Sequence, residues 1–249
     1  MKIKAYAKVN IFLKIVGFDG YYHLLKSRFM RVKNLYDEIE IIEADKFNIV
    51  GDINCVLRDN SVFKAYVELT KTYPEIKKFF IGKEIRIHKK IPEMAGLGGG
   101  SSDAAAFLLL ANKAFNLNLS TKELVEIGKK IGSDVAFFLY DVDTANVYGR
   151  GETVEPVEEK SFDIEVFTPP VECSTPKVYK IYKENFFNPK DSDFDKISTQ
   201  KLLSSKHPAE LNDLLMPALT IYPELNKYKD FGFFSGSGSS FFKIPGEGN

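Results

Sequence analysis

Along this chain the spacing of apolar residues changes between a period of two and a period near 3.6, which predicts a mixture of strands and helices. Ala5 to Val16, AYAKVNIFLKIV, alternates imperfectly and is rich in β-branched residues, so it reads as a strand or hairpin arm. Lys8 and Asn10 fall on one face of it, with Val9, Ile11 and Leu13 on the other. Asp19 and Gly20 give a turn signal, and a return strand follows through Phe29, Met30 and Val32. DEIEIIEADKFNIVGD reads as one or two further strands with a loop near Asp45 and Lys46. From Asn60 to Tyr73, Val62, Ala65, Tyr66 and Leu69 stand at helical spacing, the mark of a core helix rather than of an aromatic ligand site. Ile85 and Ile87 then alternate with Arg86 and His88, which predicts a half-buried strand.

Beyond that strand a glycine-rich loop feeds an almost wholly apolar helix. Ser120 to Glu123 forms a capping box that opens a short helix through Leu124, Ile127 and Ile131, with Gly132 as its end. Ser133, Asp134 and Val135 start the next buried run. TANVYGRGETVEPV reads as strand, turn and strand about Gly149 and Gly151, a scaffold to which no catalytic role is assigned. FDIEVFTPP is a strand, NFFNPKDSDFDKIS an irregular exposed loop, and HPAELNDLLMPAL a helix with Pro208 near its start. Phe233 to Phe242, FFSGSGSSFF, is a second glycine-rich turn between aromatic strand ends.

Composition narrows the classes of function. At 249 residues, with 44% hydrophobic and 27% charged residues, the chain has room for one large or two modest core-bearing domains. Two are favoured, divided near residues 150 to 155. Thirty-four basic residues balance thirty-four acidic ones, so no global field recruits nucleic acid or an anionic membrane, and any anion is bound locally. Cys55 and Cys173 lack metal-ligand spacing and read as reduced packing residues of a cytoplasmic protein. The N-terminus does not read as a signal peptide, and no run approaches membrane-spanning length.

The chemistry centres on Pro92 to Phe107, PEMAGLGGGSSDAAAF, with four glycines and two serines between Gly96 and Ser102. Glycine permits positive φ and close approach, so Gly98, Gly99 and Gly100 can turn several N–H groups toward one centre. Ser101 or Ser102 can cap the following helix, whose positive end faces the same spot, and an anion such as a nucleotide phosphate is the expected occupant. A tight turn serving only as helix entry is the plain alternative. No lysine follows the glycines, so this is not the GxxxxGK[ST] loop. Asp134, entering an apolar segment, reads either as a helix cap or as a carboxylate at the base of a pocket with Lys8 as partner. Lys8 itself has the plain alternative of a solvated strand lysine, His23 that of a surface histidine, and Tyr179 that of a helix core residue.

These stretches together resemble the galactokinase, homoserine kinase, mevalonate kinase and phosphomevalonate kinase superfamily. Seven motifs stand in the same order: Ala7-Lys8-Val9-Asn10; Tyr22-His23; the glycine loop; Gly132-Ser133-Asp134-Val135; Ser174-Thr175-Pro176 with Tyr179; Asn212-Asp213-Leu214; and Ser235-Gly236-Ser237-Gly238. The triple glycine before SSDAA is most similar to the branch of 4-diphosphocytidyl-2-C-methyl-D-erythritol kinases. Departures are the second tyrosine, Tyr21, ahead of the Tyr-His pair, and Ala136 where proline is usual. The chain also stops soon after the last glycine turn, so the second domain is expected to be curtailed.

The resemblance implies an α+β, two-domain small-molecule kinase. Residues 1–152 would be an ATP-binding domain with a left-handed β-α-β crossover, similar to the second domain of ribosomal protein S5. Residues 153–249 would be a ferredoxin-like substrate-side domain, with ATP and substrate meeting between the two. It implies Lys8 and Asp134 as catalytic residues. Lys89, Pro92, Glu93, Met94, Ala95, Gly96, Leu97, Gly98, Gly99, Gly100, Ser101 and Ser102 would bind ATP. Asn10, Tyr22, His23, Thr175, Tyr179 and Gly236 would bind substrate, with the aromatics and His23 around a cytosine. ATP is the cosubstrate and Mg²⁺ is expected, though its protein ligands are not legible; nucleic acid and membrane are not expected partners. A kinase for another small alcohol would not need the Tyr-His and STP aromatics, and a silent nucleotide-binding module would lack the Lys8 and Asp134 pair.

Overall fold

The computed structural model describes residues 1–159 and 162–245. Its strands are β1 (Lys2–Phe18), β2 (His23–Glu43), β3 (Asn48–Gly51), β4 (Lys83–His88), β5 (Thr144–Gly149), β6 (Thr153–Pro156), β7 (Glu165–Phe167), β8 (Phe233–Phe234) and β9 (Phe241–Lys243). Its α-helices are α1 (Ser61–Thr72), α2 (Gly99–Ala114), α3 (Thr121–Gly128), α4 (Val135–Leu139), α5 (Thr175–Ile181), α6 (Thr199–Ser205), α7 (Pro208–Leu211) and α8 (Leu215–Ile221). The fold is α+β. β1 and β2 pair, and DEIEIIE is the far end of one uninterrupted β2 rather than a strand of its own.

Two compact units are each assembled from separated stretches and do not divide at residue 152. One comprises residues 1–7, 35–91 and 99–141; the other comprises 8–34, 92–98 and 142–249. The chain tail from residue 246 onward, where the second domain was expected to be curtailed, lies outside the described residues.

In the first unit the end of β2 runs antiparallel to β4, with Ile39 opposite Ile87 and Ile41 opposite Ile85. β3 is parallel to β4, Ile49 facing Ile85, so β3, α1 and β4 make a β-α-β unit. Ile39, Ile41, Ile49, Ile85 and Ile87 are all buried, while Glu40 and Arg86 alternate outward as the period of two requires. Val62, Ala65 and Leu69 of α1 are buried as their spacing predicts, and Asn60 caps that helix by accepting from Val62 N and Phe63 N. α2 buries a continuous run from Ser102 to Leu108. The capping box of α3 forms between Ser120 and Glu123, but the helix ends at Gly128 rather than Gly132. A Cβ at Gly128 would lie 2.8 Å from Leu139 Cδ1 and 2.9 Å from Val135 Cγ1. Glycine there lets α4 pack closely against the end of α3.

In the second unit β5 pairs with the first part of β2, Leu25 opposite Gly149 through Met30 opposite Thr144. It also forms a hairpin with β6. A separate antiparallel sheet has the order β7-β9-β8. Its core gathers Leu13, Ile15, Val178, Tyr182, Leu214, Ala218, Phe234 and Phe241. HPAELNDLLMPAL, read as one helix, is broken into α7 and α8. Asn212 turns its amide to Phe234 O and Gly236 O, and its Oδ1 accepts from Leu214 N. Asp213 pairs with Lys14 and accepts from Ile15 N. These polar partners withdraw the tripeptide from helical bonding and tie it to β1. The stretch read as an exposed loop is partly anchored as well: buried Arg28 donates to Asp195 O and Ile197 O, and Phe194 packs edge-on to Phe12. Among the described residues no helix is long and apolar enough to cross a membrane.

Candidate active site

The glycine loop meets the second glycine turn within one unit. Met94, Gly96 and Gly98 all take positive φ, at 51°, 74° and 70°, so the backbone reverses at every second residue. A Cβ on Gly96 would collide with Ser235 O. Only glycine fits there. Gly96 O accepts from Lys8 Nζ at 3.0 Å and from Ser235 Oγ at 3.0 Å. Lys8 Nζ also donates to Asn10 Oδ1 at 2.7 Å, and Lys8 N donates to Leu97 O at 2.9 Å. Asn10 N donates to Ser235 Oγ, and Asn10 Nδ2 donates to Ser27 Oγ. Gly236, at φ 58°, faces the same knot: a Cβ there would stand 3.1 Å from Gly96 O and 3.4 Å from Asn10 Oδ1. Ala95 O accepts from Ser240 N, and Met94 O from Cys173 N. Lys8, 3% exposed, is therefore no solvated strand lysine. Four residues expected at the site, Lys8, Asn10, Gly96 and Gly236, come together, and Ser235, which stands in the last motif but was given no role, joins them.

A second group in the same unit is aromatic. The His23 ring lies 5.1 Å from Tyr179, tilted by 36°, and is also flanked by Phe18, Tyr182 and Phe187. Its Nε2 is buried and, among the described residues, has no hydrogen-bond partner. Burial, with some help from the Lys183 charge, holds the imidazole below its ordinary pKa, so the neutral ring is favoured. Tyr22 stands elsewhere: it is exposed, and the Arg150 guanidinium covers its ring at 4.1 Å. Arg150 also binds Asp19. Thr175 opens α5, with Oγ1 2.6 Å from Ser237 Oγ on the glycine turn. Tyr182 and Phe187 continue the face begun by Tyr179, a signal present in the spacing of YKIYKENFF.

In the other unit, α2 begins at Gly99, so Ser101 and Ser102 are already inside the first turn rather than capping it. A Cβ on Gly99 would lie 3.0 Å from Ile91 Cγ2 and 3.4 Å from Lys89 Nζ, and one on Gly100 would lie 2.9 Å from Ser61 Oγ. Lys89 is engaged below this turn, with Nζ 2.5 Å from Asp37 Oδ2 and 2.7 Å from Asp103 Oδ2. Asp134 precedes α4 but makes no side-chain cap bond to it, which removes the capping explanation for its presence.

Residues 60–141 match the family of GHMP kinases N terminal domain. The 4-diphosphocytidyl-2-C-methyl-D-erythritol kinase of Sulfurimonas denitrificans is 46% identical over 265 residues, with 100% of both chains covered. That of Campylobacter jejuni subsp. jejuni is 43% identical over 97% of this chain and 99% of its own. The chain belongs to the 4-diphosphocytidyl-2-C-methyl-D-erythritol kinase family. A crystal structure of 4-(cytidine 5'-diphospho)-2C-methyl-D-erythritol kinase superposes with a TM-score of 0.77 at 30% identity, covering 98% of this chain and 90% of that one. Within this kinase family the knot at Gly96 and the aromatic group at His23 are the two arrangements whose chemistry needs explaining.

Proposed function

We propose that the protein transfers the γ-phosphoryl group of ATP to the 2-hydroxyl of 4-diphosphocytidyl-2-C-methyl-D-erythritol, a step of non-mevalonate isoprenoid synthesis. The observation that carries this reading is the His23 group, in a chain of this family. A neutral imidazole with an unsatisfied buried Nε2, beside the Tyr179 ring, suits the flat face and hydrogen-bonding edge of a cytosine. Tyr22 would then contribute at the rim, through Arg150, rather than as the stacking partner.

The stretch from Pro92 to Ser102 is proposed to hold the nucleotide phosphates. Positive φ at residues 94, 96 and 98 suits N–H groups turned toward an anion, and the 16-residue α2 follows with its positive end. Asp134 is proposed to accept or orient the hydroxyl proton. Lys8 is proposed to offset charge on the transferring group while fixing Gly96 O and Asn10. Asn10, Thr175 and Gly236 would border the alcohol, and Lys89 would act toward the nucleotide. Among the described residues no group of three or more His, Cys, Asp or Glu side chains is arranged to hold a metal ion. Mg²⁺ would arrive with the nucleotide phosphates. Bound there, Mg²⁺ would neutralise phosphate charge. The protein's partners would be these small molecules, and its compartment the cytoplasm.

The test is phosphorylation of a panel under saturating Mg-ATP: 4-diphosphocytidyl-2-C-methyl-D-erythritol, mevalonate, phosphomevalonate and homoserine. Turnover of the cytidine ester alone is expected. Turnover of any other member without it refutes the reading.

A further inference from the structure

Asp37, Lys89 and Asp103 form a buried cluster that the reaction as proposed does not explain. Lys89 Nζ lies between the two carboxylates, close under the first turn of α2, where a Cβ on Gly99 would be 3.4 Å from it. The carboxylates are not equivalent. Asp37 Oδ1 accepts from the backbone N–H groups of Lys90 and Ile91. Asp103 Oδ2 accepts from Lys89 Nζ, and its carboxyl also lies within hydrogen-bonding reach of Asp37; its Oδ1 is buried and, among the described residues, has no hydrogen-bond partner. Two carboxylates with one ammonium carry a net negative charge when all are ionised, directly below the place proposed for phosphate. A proton relieves that charge, and the donor asymmetry assigns it to Asp103.

We propose that Asp103 makes nucleotide binding at the start of α2 proton-linked, acting as a positioning residue through Lys89. This rests on the nucleotide reading of the glycine loop given above. An anion bound over the turn disfavours an ionised carboxylate beneath it, so binding raises the proton affinity of Asp103. By reciprocity the protonated carboxyl favours the anion, both by removing a negative charge and by releasing Lys89 from one of its two carboxylates. Burial foremost, with the Asp37 charge and against the pull of Lys89, places the Asp103 carboxyl at about 7, so the linkage falls in the working range of a neutral-pH enzyme. The further charges are these: exposed Asp52 accepts from Lys89 N; α1 presents the Ser61 hydroxyl at Gly100 and carries Glu68, paired with Lys71; the charged residues of α3 are exposed, and α4 is wholly apolar with Asp134 ahead of it.

Calorimetric titration of Mg-ATP at pH 8, without alcohol substrate and in two buffers of different ionisation enthalpy, counts the protons taken up. Mg-ATP is fully deprotonated there, so uptake reports the protein. The wild type should take up a substantial fraction of one proton, and its Kd should rise by up to about tenfold per pH unit above 7. Asp103→Asn keeps the side-chain shape and should take up none, with a Kd flat in pH and tighter than wild type at pH 8. Absence of uptake by the wild type, or equal uptake by both proteins, overturns the proposal. A variant that does not fold leaves the wild-type count as the deciding result. Failure of the underlying reading looks different: Gly98→Val would bind Mg-ATP as the wild type does.

Discussion

Replacing Tyr179 by alanine probes substrate recognition far from the reacting hydroxyl. The Tyr179 ring lies against His23, and Phe18, Tyr182 and Phe187 close the other sides of the imidazole. Truncation removes one stacking face and leaves His23 still held by three rings. Base stacking on an aromatic contributes about 1 to 3 kcal/mol, which is about 5- to 150-fold in affinity. With His23 retained, the expected rise in KM for the cytidine ester is roughly 10- to 100-fold. The KM for ATP should not move, and kcat should change less, because binding shared by ground state and transition state has been lost. Tyr179→Phe keeps the ring and is the control. Steady-state kinetics with each substrate varied in turn, together with a thermal melt, separates this from simple loss of structure. An unchanged KM for the cytidine ester in a folded Tyr179→Ala protein would refute the stacking argument.

Four further outcomes follow from the geometry. Because burial lowers the His23 pKa and the neutral ring is the one proposed to read the base, KM for the cytidine ester should be flat near pH 7. It should rise as pH falls through the depressed value, below the ordinary 6.5; a pH series of KM checks this, and His23→Gln should abolish the low-pH limb. Gly98→Val forces a β-branched residue to φ 70° and should eliminate nucleotide binding in calorimetry while the fold survives in circular dichroism. Asp134→Asn should reduce kcat by about 100-fold or more with ATP affinity retained, whereas wild-type turnover would dismiss Asp134 from the chemistry. Ser235→Ala strands Asn10 N and removes one of the two donors to Gly96 O; denaturant unfolding should show a loss of about 1 to 3 kcal/mol, accompanied by a raised KM for ATP.

What the sequence discloses, and what it hides, divides along a physical line. Periodicity located α1 and β4, because a helix or strand with one buried face writes that face into its spacing, whereas α2 was legible as an unbroken apolar run after the glycines. The glycine loop was legible for a similar reason: positive φ at Gly96 and Gly98 is a backbone demand that few other residues meet. HPAELNDLLMPAL misled because nothing local in Asn212 and Asp213 forbids a helix. Their partners are Phe234 O, Gly236 O, Lys14 and Ile15 N, far away in the chain. Asp37 is a different case: in DEIEIIE it has the parity of Ile39 and Ile41, the buried face, so the alternation marks it as inward, and only its partner is hidden. Its side chain is fully buried on Lys89. Tyr22 adjoins His23 in sequence, but it lies in the bend ahead of β2 and its ring meets Arg150. Residues that contact a ligand can be recognised by type, since stacking needs a ring and a phosphate turn needs glycine. Residues that hold those groups in place are ordinary serines, asparagines and aspartates whose meaning comes only from long-range partners. A substitution at Ser235 or Asp103 would look conservative in the sequence and would nonetheless alter the position or charge of groups proposed to hold ATP. Kinetic effects of the kind predicted here are accordingly expected at positions that stand inside a motif without a role read from it.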